Sequence, residues 1–255
     1  MTAFGPQTTI GFIGAGAVGG TLAAALAQAG YRVVAVASRT LASAQGLAHR
    51  LAGCTAYATA QQVVATCELV FISTPDDAIR PVASALSWRA GQGVVHCSGA
   101  TSLDVFASPI AQGVLPGALH PFQAVASIDA GVTSLPGSTF GIEADGAMRE
   151  ALATMAHALG GRPIFLTAAD KALYHLSAVM MGNLLTGLAA AVARPYVRGD
   201  VGTIRRHFET LRDQAPAVLP LYRELALAAL PFAVEKHALS PAQSQAIRQL
   251  IAHSL

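Results

Sequence analysis

The stretch TIGFIGAGAVGGTLAAALAQAGYRVVAVA, from Thr9 to Ala37, constrains the fold more than any other part of the chain. Thr9 to Ile13 is apolar and β-rich and leads straight into Gly14, Gly16 and Gly19. An uncharged Ala- and Leu-rich segment follows to about Ala29, Gly30 stops it, and YRVVAVA reads as a second buried strand. Strand, glycine turn, helix and strand is the order that a dinucleotide-binding fingerprint requires. Gly14 permits the tight turn, Gly16 lets the backbone approach a pyrophosphate, and Gly19 lets the helix sit close to the strand. The free N–H groups around Ala17 and Val18 then meet the phosphate charge.

The end of the second strand selects the cofactor. A carboxylate there suits the ribose hydroxyls of NAD, whereas an arginine suits the 2′-phosphate of NADP. This chain has Ser38, Arg39 and Thr40 and no acid. The guanidinium fork and two hydroxyls point to NADP.

Further apolar strands are expected at Leu69–Ser73, at Val94–Cys97 and near Gly117–Leu119, with a last pair at Thr139–Glu143 and Pro163–Leu166 around a helix over Gly146–Leu159. Ligands of an open α/β sheet lie beyond the C-terminal strand ends. That places Thr74, Pro75 and Asp76 beside the cofactor, and Ser98 and His120 at neighbouring ends. After Thr167 no strand alternation remains. Helices are expected from about Ala168 to before Pro195, and over Val201–Gln214, Ala217–Leu230 and Pro241–Ser254. The predicted architecture is α/β: a Rossmann-type, doubly wound, mostly parallel sheet over residues 1–167, then an all-helical domain over 168–255.

Composition bears on one question. Ala172 to Ala193 carries no Asp, Glu, Lys or Arg, about the length of a membrane span. With Lys171 at zero, a helical wheel places Gly182 at about 20°, His175 at about 40°, Thr186 at about 60° and Asn183 at about 120°. One polar stripe on an apolar helix predicts a cleft wall rather than a span. The chain as a whole is also apolar, 53% hydrophobic against 12% charged. A net charge of +2 without a basic run excludes a nucleic-acid backbone binder. Cys54, Cys67 and Cys97 have neither disulfide nor metal spacing, so no metal is expected, and Cys97 reads as a buried structural thiol. No basic segment precedes the uncharged N-terminal run, which predicts a cytoplasmic chain.

The segments GFIGAGAVGG, SRT, STPDDAI, HCSGA, LHPFQ and KALYHLSAVMMGN resemble those of Rossmann-like NADP-binding oxidoreductases with a C-terminal helical domain of unknown function. These are relatives of pyrroline-5-carboxylate reductase, ketopantoate reductase, prephenate dehydrogenase and the β-hydroxyacid dehydrogenases. The resemblance implies that Lys171 matches the lysine of the β-hydroxyacid dehydrogenases. Their asparagine one turn on is replaced by His175, and the nearest asparagine is Asn183. It also implies that Ser98 and His120-Pro121 match a serine and a His-Pro of prephenate dehydrogenases.

The expected activity is hydride transfer between NADP and a small C=O or C=N substrate, a keto acid or an imine. Lys171 is the first candidate for proton donor and His120 the second, with His175, Asn183 and Ser98 orienting the substrate. The lysine charge suggests an anionic substrate. Leu184, Leu188 and Val192 suggest a homodimer through the helical domain. The alternatives are a non-catalytic NADP-binding sensor or assembly protein and a deazaflavin-dependent reductase.

Overall fold

A computed structural model describes residues 4–179, 200–235 and 240–252. Eight strands form one sheet in the order β3-β2-β1-β4-β5-β6-β7-β8. They are β1 (Thr9–Ile13), β2 (Arg32–Ala37), β3 (Thr55–Tyr57), β4 (Leu69–Ile72), β5 (Gly93–His96), β6 (Leu115–Pro121), β7 (Thr139–Ala144) and β8 (Arg162–Phe165). The central strands are continuous apolar runs because helices cover both faces. All four residues of β4, LVFI, are buried, and so are four of the five in β1.

The first βαβ unit follows the sequence closely. Helix α1 (Ala17–Gln28) is buried from Gly19 to Leu26. It ends in paired backbone bonds, Tyr31 N–H to Leu26 C=O at 3.0 Å and Gly30 N–H to Ala27 C=O at 3.1 Å. Gly30 takes the left-handed φ of 88° that this helix stop needs.

Helices α2 (Leu41–Ala48), α3 (Ala60–Thr66) and α4 (Asp76–Ser84) follow β2, β3 and β4. A 3-10 turn (Leu103–Phe106) and α5 (Ala107–Ala111) follow β5, and α6 (Ile128–Ser134) follows β6. Sequence periodicity had not marked β3, α2, α3, α5 or α6, which are short and half polar. Two apolar clusters fill the two sides of the sheet, one around Phe12, Leu22 and Phe71, the other around Val63, Ile72 and Ile79.

Two strands, β7 and β8, run against the other six. β7 pairs antiparallel with β6, Gly141 opposite His120 and Glu143 opposite Ala118. Helix α7 (Gly146–Ala158) then returns the chain so that β8 lies parallel to β7. Helix α8 is described over Lys171–Val179. The compact unit that holds the sheet, Met1–Ala178, includes all but its last residue.

The second unit, Val179–Leu255, is helical where described. It contains α9 (Val201–Gln214), α10 (Leu219–Glu235) and α11 (Pro241–Ala252). Ile204, Phe208, Ala226, Leu230, Ile247 and Ile251 form its core. Ser240 caps α11: its Oγ accepts from Gln243 N–H at 3.2 Å, and Gln243 Oε1 accepts from Ser240 N–H at 3.0 Å. No described helix is long and apolar enough to cross a membrane.

Candidate active site

A cavity of about 780 Å³ opens at the C-terminal ends of β1, β2 and β4. Gly14, Gly16, Ser38, Arg39, Thr40, Thr74 and Pro75 line it, all expected from sequence; Ser43 and Asp77 line it as well. The glycines divide the work as the fingerprint requires. Gly14 has φ +113°, and a Cβ there would lie 2.7 Å from the Ser73 carbonyl oxygen. A Cβ at Gly19 would run into the Ser73 side chain, so its absence lets α1 close on β4. A Cβ at Gly16 would meet nothing within 4 Å. Gly16 therefore faces open space, where a ligand rather than protein can approach.

Helix α1 begins at that open face with no side-chain cap and no acid in its first turn. The N–H groups of its opening turn, around Ala17, Val18 and Gly19, are those that a helix leaves for an outside acceptor. Thr40 already has a structural task, since its Oγ1 accepts from Ser43 N–H at 3.2 Å and caps α2. Thr74 Oγ1 is buried without a hydrogen-bond partner among the described residues. An orphaned hydroxyl, an uncapped helix terminus and an arginine on one cavity fit a phosphorylated dinucleotide.

Asp76, expected beside the cofactor, turns toward β5 instead. Ser98 Oγ–H donates to Asp76 Oδ2 at 2.6 Å, and Ser98 Oγ itself accepts from Ala100 N–H at 3.2 Å and Thr101 N–H at 3.0 Å. The hydroxyl and the carboxylate thus lock the loop after β5. Ser98 has only one proton, and the charged acceptor takes it.

Lys171 is 1% exposed. Its Nζ donates to the Ser98 carbonyl at 3.1 Å and lies 3.6 Å from Glu143 Oε2. Burial lowers the ammonium pKa, and the Glu143 charge opposes that. The ammonium ties α8, β7 and the Ser98 loop together.

His120 and His175 meet over Gly99. A Cβ at Gly99 would lie 2.9 Å from His120 Nε2 and 2.7 Å from His175 Nδ1, and the two rings are 5.9 Å apart. His175 Nδ1 is buried without a hydrogen-bond partner among the described residues. On the far side, His120 Nδ1 is 2.9 Å from Tyr174 Oη. Burial first, then the neighbouring His175 and Lys171, push the His120 pKa down to about 4. Burial pushes the Tyr174 phenol up to about 12. Both groups are neutral near pH 7.

Four contributors escaped the sequence reading. Glu143 is a lone acid inside the apolar strand TFGIEA, and that anomaly was its only signal. Tyr174 lies about 60° from Lys171 on the α8 wheel, on the flank away from the polar stripe. Gly99 and Gly141 are vacancies that matter through what fills them. Asn183 lies outside the described residues, as do Leu184, Leu188 and Val192. Cys97 is buried with its thiol pushed up to about 12, in keeping with a structural role. His96 is also buried; its Nδ1 accepts from Ser98 N–H at 3.2 Å.

Comparison with known protein families matches residues 4–121 to a Rossmann-like domain and residues 138–194 to a domain of unknown function, DUF2520. The chain pairs a Rossmann-like domain with a DUF2520 region. This bears out the resemblance seen in the motifs. A search of curated proteins finds no match.

Solved structures share the fold at low identity. BF3122 from Bacteroides fragilis, assigned as an NADP oxidoreductase, is 23% identical with a TM-score of 0.64, over 89% of this chain and 99% of that one. An imine reductase from Pseudomonas sp. is 20% identical, TM-score 0.59, over 94% and 91%. The 3-hydroxyisobutyrate dehydrogenase of Mycobacterium tuberculosis is 18% identical, TM-score 0.59, over 96% and 93%.

Proposed function

We propose that this DUF2520 protein is an NADP-dependent oxidoreductase that reduces a small C=O or C=N compound. The observation that carries the reading is the meeting of Arg39, the uncapped start of α1 and the open face of Gly16 on one cavity. The fold it shares with an imine reductase and a hydroxyacid dehydrogenase supports the same class. NADPH, when bound, supplies the hydride. Gly14, Gly16 and the α1 N-terminus would hold its pyrophosphate, and Arg39 with Ser38 its 2′-phosphate. Arg39 also favours NADP over a deazaflavin.

The chain must then donate a hydrogen bond to the heteroatom that gains charge, and solvent supplies the proton that completes the product. His120 is the group that suits this, because it is only partly buried at the end of β6, whereas Lys171 is enclosed by Ser98 and Glu143. We assign to Lys171, Ser98 and Asp76 the fixing of the loop beneath the substrate. Because Glu143 faces the lysine, its charge no longer argues for an anionic substrate, and a neutral carbonyl or imine suits the site. The homodimer remains a proposal that rests on residues outside those described.

NADPH and NADH titrations by intrinsic or nicotinamide fluorescence test the cofactor. NADPH should bind more tightly, and Arg39→Ala should weaken it by roughly 10- to 100-fold while sparing NADH, the size of a charge-assisted hydrogen bond. Equal affinities that Arg39→Ala leaves unchanged would refute the reading. NADPH consumption against neutral ketones, keto acids and cyclic imines then identifies the substrate.

A further inference from the structure

His120 has one ring nitrogen that the protein engages and one that it leaves open. Nδ1 faces Tyr174 Oη at 2.9 Å. Nε2 makes no hydrogen bond among the described residues and lies above Gly99 with His175 Nδ1 across from it. The tautomer decides what Nε2 can do. If Nδ1 accepts from the phenol, Nε2 carries the hydrogen and is a donor; if Nδ1 carries it, Nε2 is only an acceptor.

The phenol has two acceptors in reach, His120 Nδ1 at 2.9 Å and the His120 carbonyl oxygen at 3.3 Å. Donation to the nearer one is the arrangement that leaves the hydrogen of the imidazole on Nε2. Tyr174 is placed for this by a vacancy in β7: a Cβ at Gly141 would lie 2.7 Å from Tyr174 Cζ and 2.8 Å from Oη. Gly141 is the residue paired with His120 across the antiparallel strands, so the phenol lies over the one position opposite the imidazole without a side chain. Packing against Phe122, with ring centroids 5.5 Å apart, holds the ring from another side.

We propose that Tyr174 is a positioning residue that holds His120 as a neutral Nε2–H donor over Gly99. The inference deepens the oxidoreductase reading and rests on it for its consequence. A donor at Nε2 selects an electrophile that has a lone pair, a carbonyl oxygen or an unprotonated imine nitrogen. A protonated iminium has none to offer. Donation also fits catalysis by a neutral imidazole, which polarises the double bond without carrying a charge of its own. The charged and titratable groups around the ring are His175 and Lys171 of α8 and Asp76 of α4.

The test needs neither cofactor nor substrate. The full chain is labelled with 15N-histidine, and His120 is identified by comparison with His120→Asn. Long-range proton–nitrogen spectra near pH 7 then show which nitrogen is protonated, and a titration gives the midpoint. The wild type should show the Nε2–H tautomer. Tyr174→Phe removes a hydrogen bond to the neutral form, so the His120 midpoint should rise. An Nδ1–H tautomer in the wild type, or a midpoint that falls or stays in Tyr174→Phe, would overturn the proposal. If that variant does not fold, the wild-type tautomer decides alone. Failure here leaves the oxidoreductase reading intact, and failure of NADPH binding leaves the tautomer result intact.

Discussion

Lys171 Nζ and Glu143 Oε2 lie 3.6 Å apart in a part of the sheet unit where the lysine side chain is 2% exposed and the glutamate 11%. The pair joins α8 to β7, elements separated along the chain by α7 and β8. Removing either partner strands the other. Lys171→Met or Glu143→Gln alone should each lower stability by about 3–5 kcal/mol, whereas the double variant should lose much less than the sum. Urea unfolding of the four proteins checks this. Additive losses would mean that the two side chains do not interact.

The glycines separate folding from binding. Gly16→Ala adds a methyl group into open space, so its stability should stay within about 1 kcal/mol of wild type. The same methyl group occupies the ground that a pyrophosphate needs, and NADPH affinity should fall at least about tenfold, or 1.4 kcal/mol. Gly19→Ala should instead destabilise the fold, because its Cβ meets Ser73. Thermal melts and NADPH titrations of both variants give the answer. A Gly16→Ala protein that binds normally would place the dinucleotide elsewhere.

Acid should act through the buried histidines. Burial pushes His96 down to about 3 and His120 down to about 4. In the unfolded chain each takes up its proton near pH ~6.5. Between those values the unfolded state holds more protons, so stability rises with pH and is lost as pH falls from about 6.5 toward 3. Each histidine contributes a slope of at most about 1.4 kcal/mol per pH unit. His96→Asn should flatten the curve of unfolding free energy between pH 6.5 and 4.5. An unchanged slope would show that His96 does not stay neutral in the fold.

The glycine turn was legible because its chemistry is local. Gly14, Gly16 and Gly19 are adjacent in sequence, each answers to one steric demand, and the strand and helix on either side are apolar runs with clear stops. The same holds for Arg39, two residues beyond the end of its strand. The bounds expected for α9, Val201–Gln214, are those observed.

The second part of the site was legible only in fragments. The sequence marked Lys171, His120, His175 and Ser98 as polar residues at strand ends and on one helix face, but not their partners. Glu143 reaches Lys171 because β7 runs antiparallel to β6, and no local pattern states a strand's direction. Tyr174 reaches His120 because Gly141 falls opposite that histidine in the β6–β7 register, and register follows from packing across the whole strand pair. The chain by itself determined a dinucleotide-binding turn and a set of reactive side chains. Only the tertiary structure decided which of them face the open ring nitrogen of His120 and which are spent holding the loop in place, because burial and charge pairing depend on neighbours distant in sequence.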